Sequence, residues 1–165
     1  MSWTKHLRIL LLSLGLLALH PGQAEELPDC DYLDHYDATR YAQLSVSDRT
    51  VLVELAYTEA HRRCGLMHRE YLPSNGGMLF IYPSPRPLSF WMRDTSLALD
   101  LAFIAIDDSI VAIHTLKPFD DQPIHSPIPV AYVLEMGEGW FVHNGVHIGD
   151  RVDIEHMRRI HEPNN

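Results

Sequence analysis

Residues Gly76 to Asp100 read GGMLFIYPSPRPLSFWMRDTSLALD, and the fold is decided by how this stretch is divided. The glycine pair opens an apolar run, Met78 to Tyr82, that predicts a strand. Pro83, Pro85 and Pro87 punctuate a turn. A second apolar run, Leu88 to Met92, predicts another core strand. It ends in a polar cluster, Arg93-Asp94-Thr95, and Asp100 stands just before the next apolar run. Most of the stretch is therefore scaffold. The unusual part is narrow: aromatic and sulfur side chains meet charged ones between Trp91 and Asp100.

Downstream, Leu101–Ile106 and Ile110–Leu116 flank Asp107-Asp108-Ser109, which is a hairpin signal. Leu101 and Phe103 alternate with Ile104 and Ile106, so the first strand is expected at the centre of a sheet, covered on both faces. Residues 117–129 hold four prolines and predict a long loop, of a length often tied to function. Val130–Met136 predicts a further strand. Gly137 and Gly139 turn the chain into Trp140-Phe141-Val142, and Gly145 and Gly149-Asp150 punctuate the last strands.

Upstream, Val51–Tyr57 is β-rich with Val51, Val53 and Leu55 on one face. Ser47–Thr50 predicts a turn and Leu44–Val46 a short strand. Residues 58–65 predict a short helix: Thr58 suits the N-cap, Glu59 the positive end, Arg62 and Arg63 the negative end, and Gly65 the stop. The expected fold is mostly β, a sandwich or partly open barrel of about seven or eight short strands with one short helix near 58–65.

The N-terminus has a basic start (Lys5, Arg8), a short apolar run and a small-residue exit, Gly22-Gln23-Ala24, which together predict a cleaved secretory signal over 1–24. The run is too short to span a bilayer of about 30 Å as a helix, so no stable membrane insertion is expected after cleavage. The expected organisation is an arm over 25–43, a β domain over 44–156 and a polar tail over 157–165. The expected location is the periplasm or outside a bacterial cell. Removing 1–24 leaves 141 residues with eleven Lys and Arg against twenty-two acids, net −11. That balance disfavours nucleic acid as a partner. Cys30 and Cys64 can pair in an oxidising compartment, or serve as small buried thiols.

Several motifs, taken in order, resemble the DUF192 (UPF0127) family of small proteins without an assigned function. They are Arg62-Arg63-Cys64-Gly65-Leu66-Met67, Gly77-Met78-Leu79-Phe80, Phe90-Trp91-Met92-Arg93-Asp94-Thr95, Leu99–Ile104, Tyr132-Val133-Leu134-Glu135 with Gly139-Trp140, and Gly145 with Gly149-Asp150. The resemblance spans roughly residues 50–154. It implies a compact β-rich domain, often exported in bacteria, and no mechanism. Asp94 stands where the family usually has Asn, and Ala131 where it usually has Arg.

Two carboxylates, Asp100 and Glu135, sit on otherwise apolar strands. They suit an acid–base pair or two oxygen ligands. Alternatively they cap backbone groups or pair with Arg62, Arg63 or Arg93. Trp91, Trp140, Phe90 and Tyr132 suit either a core or a stacking surface for a sugar or aromatic ligand. His143 and His147 are separated by Asn144-Gly145, which breaks a helix. No HExxH or CxxC motif occurs, and among the histidines His68 and His125 are the ones best placed to test. No cofactor is expected. The leading reading is a non-catalytic exported domain that binds a small polar or carbohydrate-like ligand through Trp91, Arg93, Asp94, Thr95, Asp100 and Glu135. A carboxylate-dependent hydrolase or lyase using Asp100 and Glu135 is the second reading. An envelope protein-interaction or structural module is the third.

Overall fold

The computed structural model describes Cys30, residues 40–155 and Met157. The expected signal segment, most of the expected arm and most of the tail lie outside the described residues. The elements run β1 (Tyr41–Val46), β2 (Arg49–Ala56), α1 (Glu59–Cys64), β3 (Gly76–Arg86), β4 (Ser89–Phe90), β5 (Leu99–Ile104), β6 (Ile110–Leu116), β7 (Ile124–His125), β8 (Val130–Gly137), α2 (Trp140–His143) and β9 (Val152–Asp153). Seven strands form one sheet in the order β6-β5-β8-β3-β2-β1-β9, curled into a half-barrel, and β4 pairs with β7 in a separate ribbon. The fold is thus mostly β and barrel-like. No helix among the described residues is long and apolar enough to cross a membrane.

Strands β5 and β8 are buried along almost their whole length because both faces of the sheet are covered. On one face, Leu79, Ile81, Ala102, Ile104, Leu134 and Met136 pack with Trp140 and Phe141 of α2 and with Val152 and Ile154. On the other, Met78, Phe80, Leu101, Phe103 and Val133 pack under Leu66, Leu88, Phe90 and Met92. The hairpin expected at residues 101–116 is β5–β6, antiparallel from Leu99↔Leu116 to Ile104↔Ile110. Strand β5 ends at Ile104; Ile106 lies in the turn and is exposed, so it is no core residue.

Strands β2 and β3 run parallel, Leu52↔Gly76 to Ala56↔Phe80. A parallel neighbour needs a crossover of a dozen or more residues. Helix α1 and the following loop supply it. The helix forms as its ends predict: the Thr58 hydroxyl accepts from the His61 N–H at 3.1 Å, and Gly65 closes it at φ 50°. Gly77 is required for a different reason. A Cβ there would lie 2.4 Å from the Glu135 carbonyl oxygen and 2.4 Å from Met136 Sδ, so only glycine lets β3 pair with β8.

The remaining differences from the sequence reading have physical causes. Strand β1 begins at Tyr41, inside the expected arm, because Tyr41 pairs with Glu54. The turn before β2 is only Ser47-Asp48; Arg49 and Thr50 already pair with Val46 and Ser45. Strand β3 continues through Pro83 and Pro85 to Arg86. Its pairing with β8 shifts register between Ile81 and Arg86, so the prolines sit where no ladder donor is needed. The Leu88–Met92 run contributes only the two-residue β4 and stays outside the main sheet. Trp140–His143 is a short helix, not a strand: Gly139 adopts φ 79° and redirects the chain so that Trp140 and Phe141 both face the core.

Cys30 and Cys64 form a disulfide, Cα–Cα 5.5 Å, tying a residue 34 positions upstream to the last turn of α1. By loop-closure entropy such a link contributes about 2–4 kcal/mol. The Cys30→Ser/Cys64→Ser variant should lose that much stability in urea denaturation while keeping native β circular dichroism; an unchanged midpoint would show that the link does not stabilise the domain.

Candidate functional site

A cleft of about 540 Å³ opens on the face of the sheet that carries Met78, Phe80 and Leu101. One wall is α1 with Gly65, Leu66 and Met67. Phe80, Tyr82 and Arg86 of β3 line it. Pro87 to Met92 form the opposite wall, with Thr95, Leu99 and Glu135 completing the lining. The size is that of an ordinary small-molecule site.

The second wall is held from behind. Ser89 and Phe90 pair with His125 and Ile124. The Leu88 N–H donates to Ser126 Oγ at 3.0 Å, and Ser126 N–H to the Leu88 carbonyl at 2.9 Å. The Met92 N–H donates to the Asp120 carbonyl at 2.8 Å. The proline-rich loop is thus a buttress. None of residues 117–129 lines the cleft.

Glu135 reaches the cleft from β8, a strand covered on both faces, with the residue only 4% exposed. It lies in a row across the sheet, Tyr41–Glu54–Met78–Glu135–Leu101–His114, read from the pairings β1–β2, β2–β3, β3–β8, β8–β5 and β5–β6. Its immediate neighbours in that row are Met78 and Leu101, both apolar. Its carboxyl makes no hydrogen bond or ion pair among the described residues. Burial alone pushes it up to about 8. At neutral pH it is therefore mostly a carboxylic acid, able to donate one hydrogen bond and accept others. The Tyr82 hydroxyl is also raised, chiefly by burial, against the lowering influence of Arg62 and Arg86.

The cations differ in how much of their capacity is already used. Arg62 donates to the Ile81 carbonyl at 2.9 Å and to the Tyr57 carbonyl, and lies 5.0 Å over the Tyr82 ring. It ties α1 to β3. Arg86 is exposed and makes no ion pair or side-chain hydrogen bond among the described residues. Arg93 stacks 5.3 Å from the Trp91 ring centre and pairs with Asp121 at 3.2 Å on the surface. Trp91 is 43% exposed at the cleft.

Of the residues singled out in the sequence, Trp91, Thr95 and Glu135 come together at the cleft. Thr95 donates its hydroxyl to the Arg93 carbonyl at 3.1 Å. Asp94 is exposed and has φ 51°, a left-handed conformation that Asn and Asp adopt more readily than other side chains. Its carbonyl accepts from the His68 N–H at 2.8 Å. The backbone thus explains the residue type at 94, and the exchange of Asn for Asp keeps it. Arg93, Asp94 and Asp100 do not line the cleft.

Asp100 and Glu135 do not meet. Asp100 pairs with Met136 and Thr115, whereas Leu101 pairs with Glu135, so the two carboxylates project from opposite faces of one sheet. Asp100 accepts from Thr115 Oγ1 at 2.8 Å. Neither carboxylate pairs with Arg62, Arg63 or Arg93. An acid–base dyad of these two groups is excluded by the register. Of the four aromatics, Phe90 and Trp91 reach the cleft, while Trp140 and Tyr132 belong to the core on the other face. Ala131 is buried, so no guanidinium stands at that position. Among the described residues, no group of three or more His, Cys, Asp or Glu is arranged to hold a metal ion.

Sequence reading missed Tyr82 and Arg86 as cleft residues because the three prolines suggested a turn there. It also missed Glu54, which accepts from Arg40, from Arg69 at 3.0 Å and from Tyr41 at 3.3 Å. A lone Glu in a β-rich run was the only signal.

The raised Glu135 carboxyl has a consequence for stability. An ordinary carboxylate in the unfolded chain ionises near 4.5, the folded one near 8. The contribution of Glu135 to stability is therefore full below pH about 4.5 and is lost as pH rises toward 8, by several kcal/mol at most. Glu135→Gln removes this slope. Urea midpoints at pH 5 and pH 8 should converge in the variant relative to the native protein; parallel pH dependence would show that Glu135 is not buried as an acid.

The family model of DUF192, described as Uncharacterized ACR, matches residues 42–154. Among solved structures, a putative transcription regulator from Sinorhizobium meliloti 1021 is similar at 40% identity and a TM-score of 0.66, covering 68% of this chain and 94% of that one. A protein of unknown function from Novosphingobium aromaticivorans DSM 12444 is similar at 31% identity and a TM-score of 0.65, covering 68% and 84%. No curated protein matches the chain. Motif order, matched span and the shared half-barrel agree: this chain belongs to the DUF192 family.

Proposed function

We propose that the protein is an exported, non-catalytic binding domain whose cleft takes a small polar or carbohydrate-like ligand. The observation that carries this reading is Glu135: a carboxyl on a buried strand, without a protein partner among the described residues, that opens to a cleft that also presents Trp91. A ligand that replaces cleft water on this carboxyl gains about 0.5–1.5 kcal/mol for the hydrogen bond it makes. The aromatic side chains supply apolar area and the arginines orientation, which is the usual division of labour in small-molecule sites.

Export is supported by the N-terminal pattern and by the disulfide, which persists in an oxidising compartment such as the periplasm. The transcription-regulator description of the Sinorhizobium protein is not carried over. A chain of net charge −9 repels a phosphate backbone, and its arginines are partly engaged within the fold.

A thermal-shift screen of sugars, organic acids and other small metabolites against the exported protein tests the reading. A ligand at about a hundred times its Kd stabilises the folded state by about 2.7 kcal/mol, a shift of several degrees. At least one compound should stabilise the native protein and lose that effect in Trp91→Ala. Stabilisers that act equally on the variant, or none at all, would overturn the assignment of the cleft.

A further inference from the structure

The side chains that line the cleft restrict its ligand. On the sheet that floors the cleft, Glu135 lies between Met78 and Leu101, both apolar. The charged lining residues are Arg62, Arg63 and Arg86 against a single acid, Glu59, with Glu135 apart. The lining is cationic in a chain whose net charge is −9. Arg86 is the one of these arginines that is fully on the surface without an ion pair among the described residues. Phe90, Trp91 and Tyr82 supply the aromatic part of the same lining.

We infer that the cleft takes a small ring-bearing organic anion, its charged group at Arg86, its ring among Phe90, Trp91 and Tyr82, and a hydrogen-bond acceptor on Glu135. This rests on reading the cleft as a ligand site and names the class of ligand. A cationic ligand would place its charge against the arginines. A wholly neutral one would leave their field unused. An anion that also carries a hydroxyl or carbonyl satisfies both groups, because a guanidinium matches carboxylate and phosphate oxygens while a protonated carboxyl donates to the acceptor.

The state of Glu135 gives the inference its sharpest consequence. The titratable and charged groups around it are Glu59, Arg62 and Arg63 on α1, Tyr82 and Arg86 on β3, and, two strands away along its row, Glu54 on β2 and His114 on β6. Binding that uses the Glu135 proton is full at neutral pH and is lost as pH rises through about 8. Glutamine donates at the same place without titrating. Glu135→Gln should therefore lose this pH dependence.

The test is isothermal titration of the exported protein with three anions, D-glucuronate, 4-hydroxybenzoate and glucose 6-phosphate, and two neutral counterparts, D-glucose and 4-hydroxybenzyl alcohol. Each is run on native protein, Arg86→Gln and Glu135→Gln. The inference expects at least one anion to bind above its neutral counterpart. It expects Arg86→Gln to weaken that anion about tenfold, with added salt acting in the same direction. It expects the affinity of the native protein to fall between pH 7 and pH 9 and that of Glu135→Gln to stay level across the same interval. The comparison among the three anions separates sugar from aromatic bodies and carboxylate from phosphate. Binding of neutral compounds undiminished by Arg86→Gln would overturn the anion and keep the cleft as a ligand site. Loss of binding in Glu135→Gln at pH 7 would overturn the hydrogen-bond role and point to a cation at Glu135. No binding by any of the three anions would overturn the inference, and the screen with Trp91→Ala then decides the cleft itself.

Discussion

Strand β8 has paired strands on both of its edges and packed side chains on both of its faces. Every residue on it must be apolar, small or satisfied, since a buried polar group without a partner is costly. Val130, Val133, Leu134 and Met136 obey this. The approach of β3 is so close that Gly77 has no room for a Cβ against the Glu135 carbonyl and Met136. Tight pairing there fixes the register of β3, β8 and β5 together. That register in turn decides which side chains share a face. Glu135 is the residue on β8 that breaks the rule, and the same register brings it to the cleft.

The cleft exists because the face around Glu135 is covered by pieces that do not close over it. The parallel step from β2 to β3 forces a crossover, and α1 is the crossover. Arg62 anchors it to β3, and the disulfide anchors its last residue to Cys30. The opposite wall is residues 87–92, outside the main sheet, held by the pairing of its β4 with β7 and by the backbone bonds of Met92 and Leu88. Two independently braced walls leave a gap between them. The aromatic and apolar side chains that would otherwise seal a core therefore line an opening.

Local signals were legible in the sequence where one residue carried them. Thr58 and Gly65 marked the ends of α1, and Asp107-Asp108-Ser109 marked the β5–β6 turn, because caps and turns depend on neighbours in the chain. The apolar run of β5 showed a doubly covered strand. What was not legible depended on partners distant in sequence. Pro83 and Pro85 read as a turn, yet β3 passes through them where the register shifts and no donor is missed. Gly139 turned Trp140–His143 into a helix although its residues suit a strand. Asp100 and Glu135 look equivalent in sequence. Only the pairing of Asp100 with Met136, and of Leu101 with Glu135, separates them to opposite faces. Trp91, Thr95 and Glu135 were recognised as residue types out of place. Arg86 and Tyr82 were not, because nothing local distinguishes them.

The contrast between Glu54 and Glu135 bears most directly on function. Both are 4% exposed, both lie in the same row on the same face, and only Met78 stands between them. Glu54 accepts from Arg40, Arg69 and Tyr41. The fold therefore has the means to satisfy a buried carboxylate on this face, and it brings two strand-distant arginines to do so. Glu135 receives none of this, although Arg62 and Arg86 line the same cleft. Arg62 is turned to backbone carbonyls and Arg86 to solvent. A structural carboxylate is stabilised by being paired, as Glu54 is. Glu135 is left without such a pairing, which costs stability, and this contrast is what the proposed ligand role of the cleft rests on.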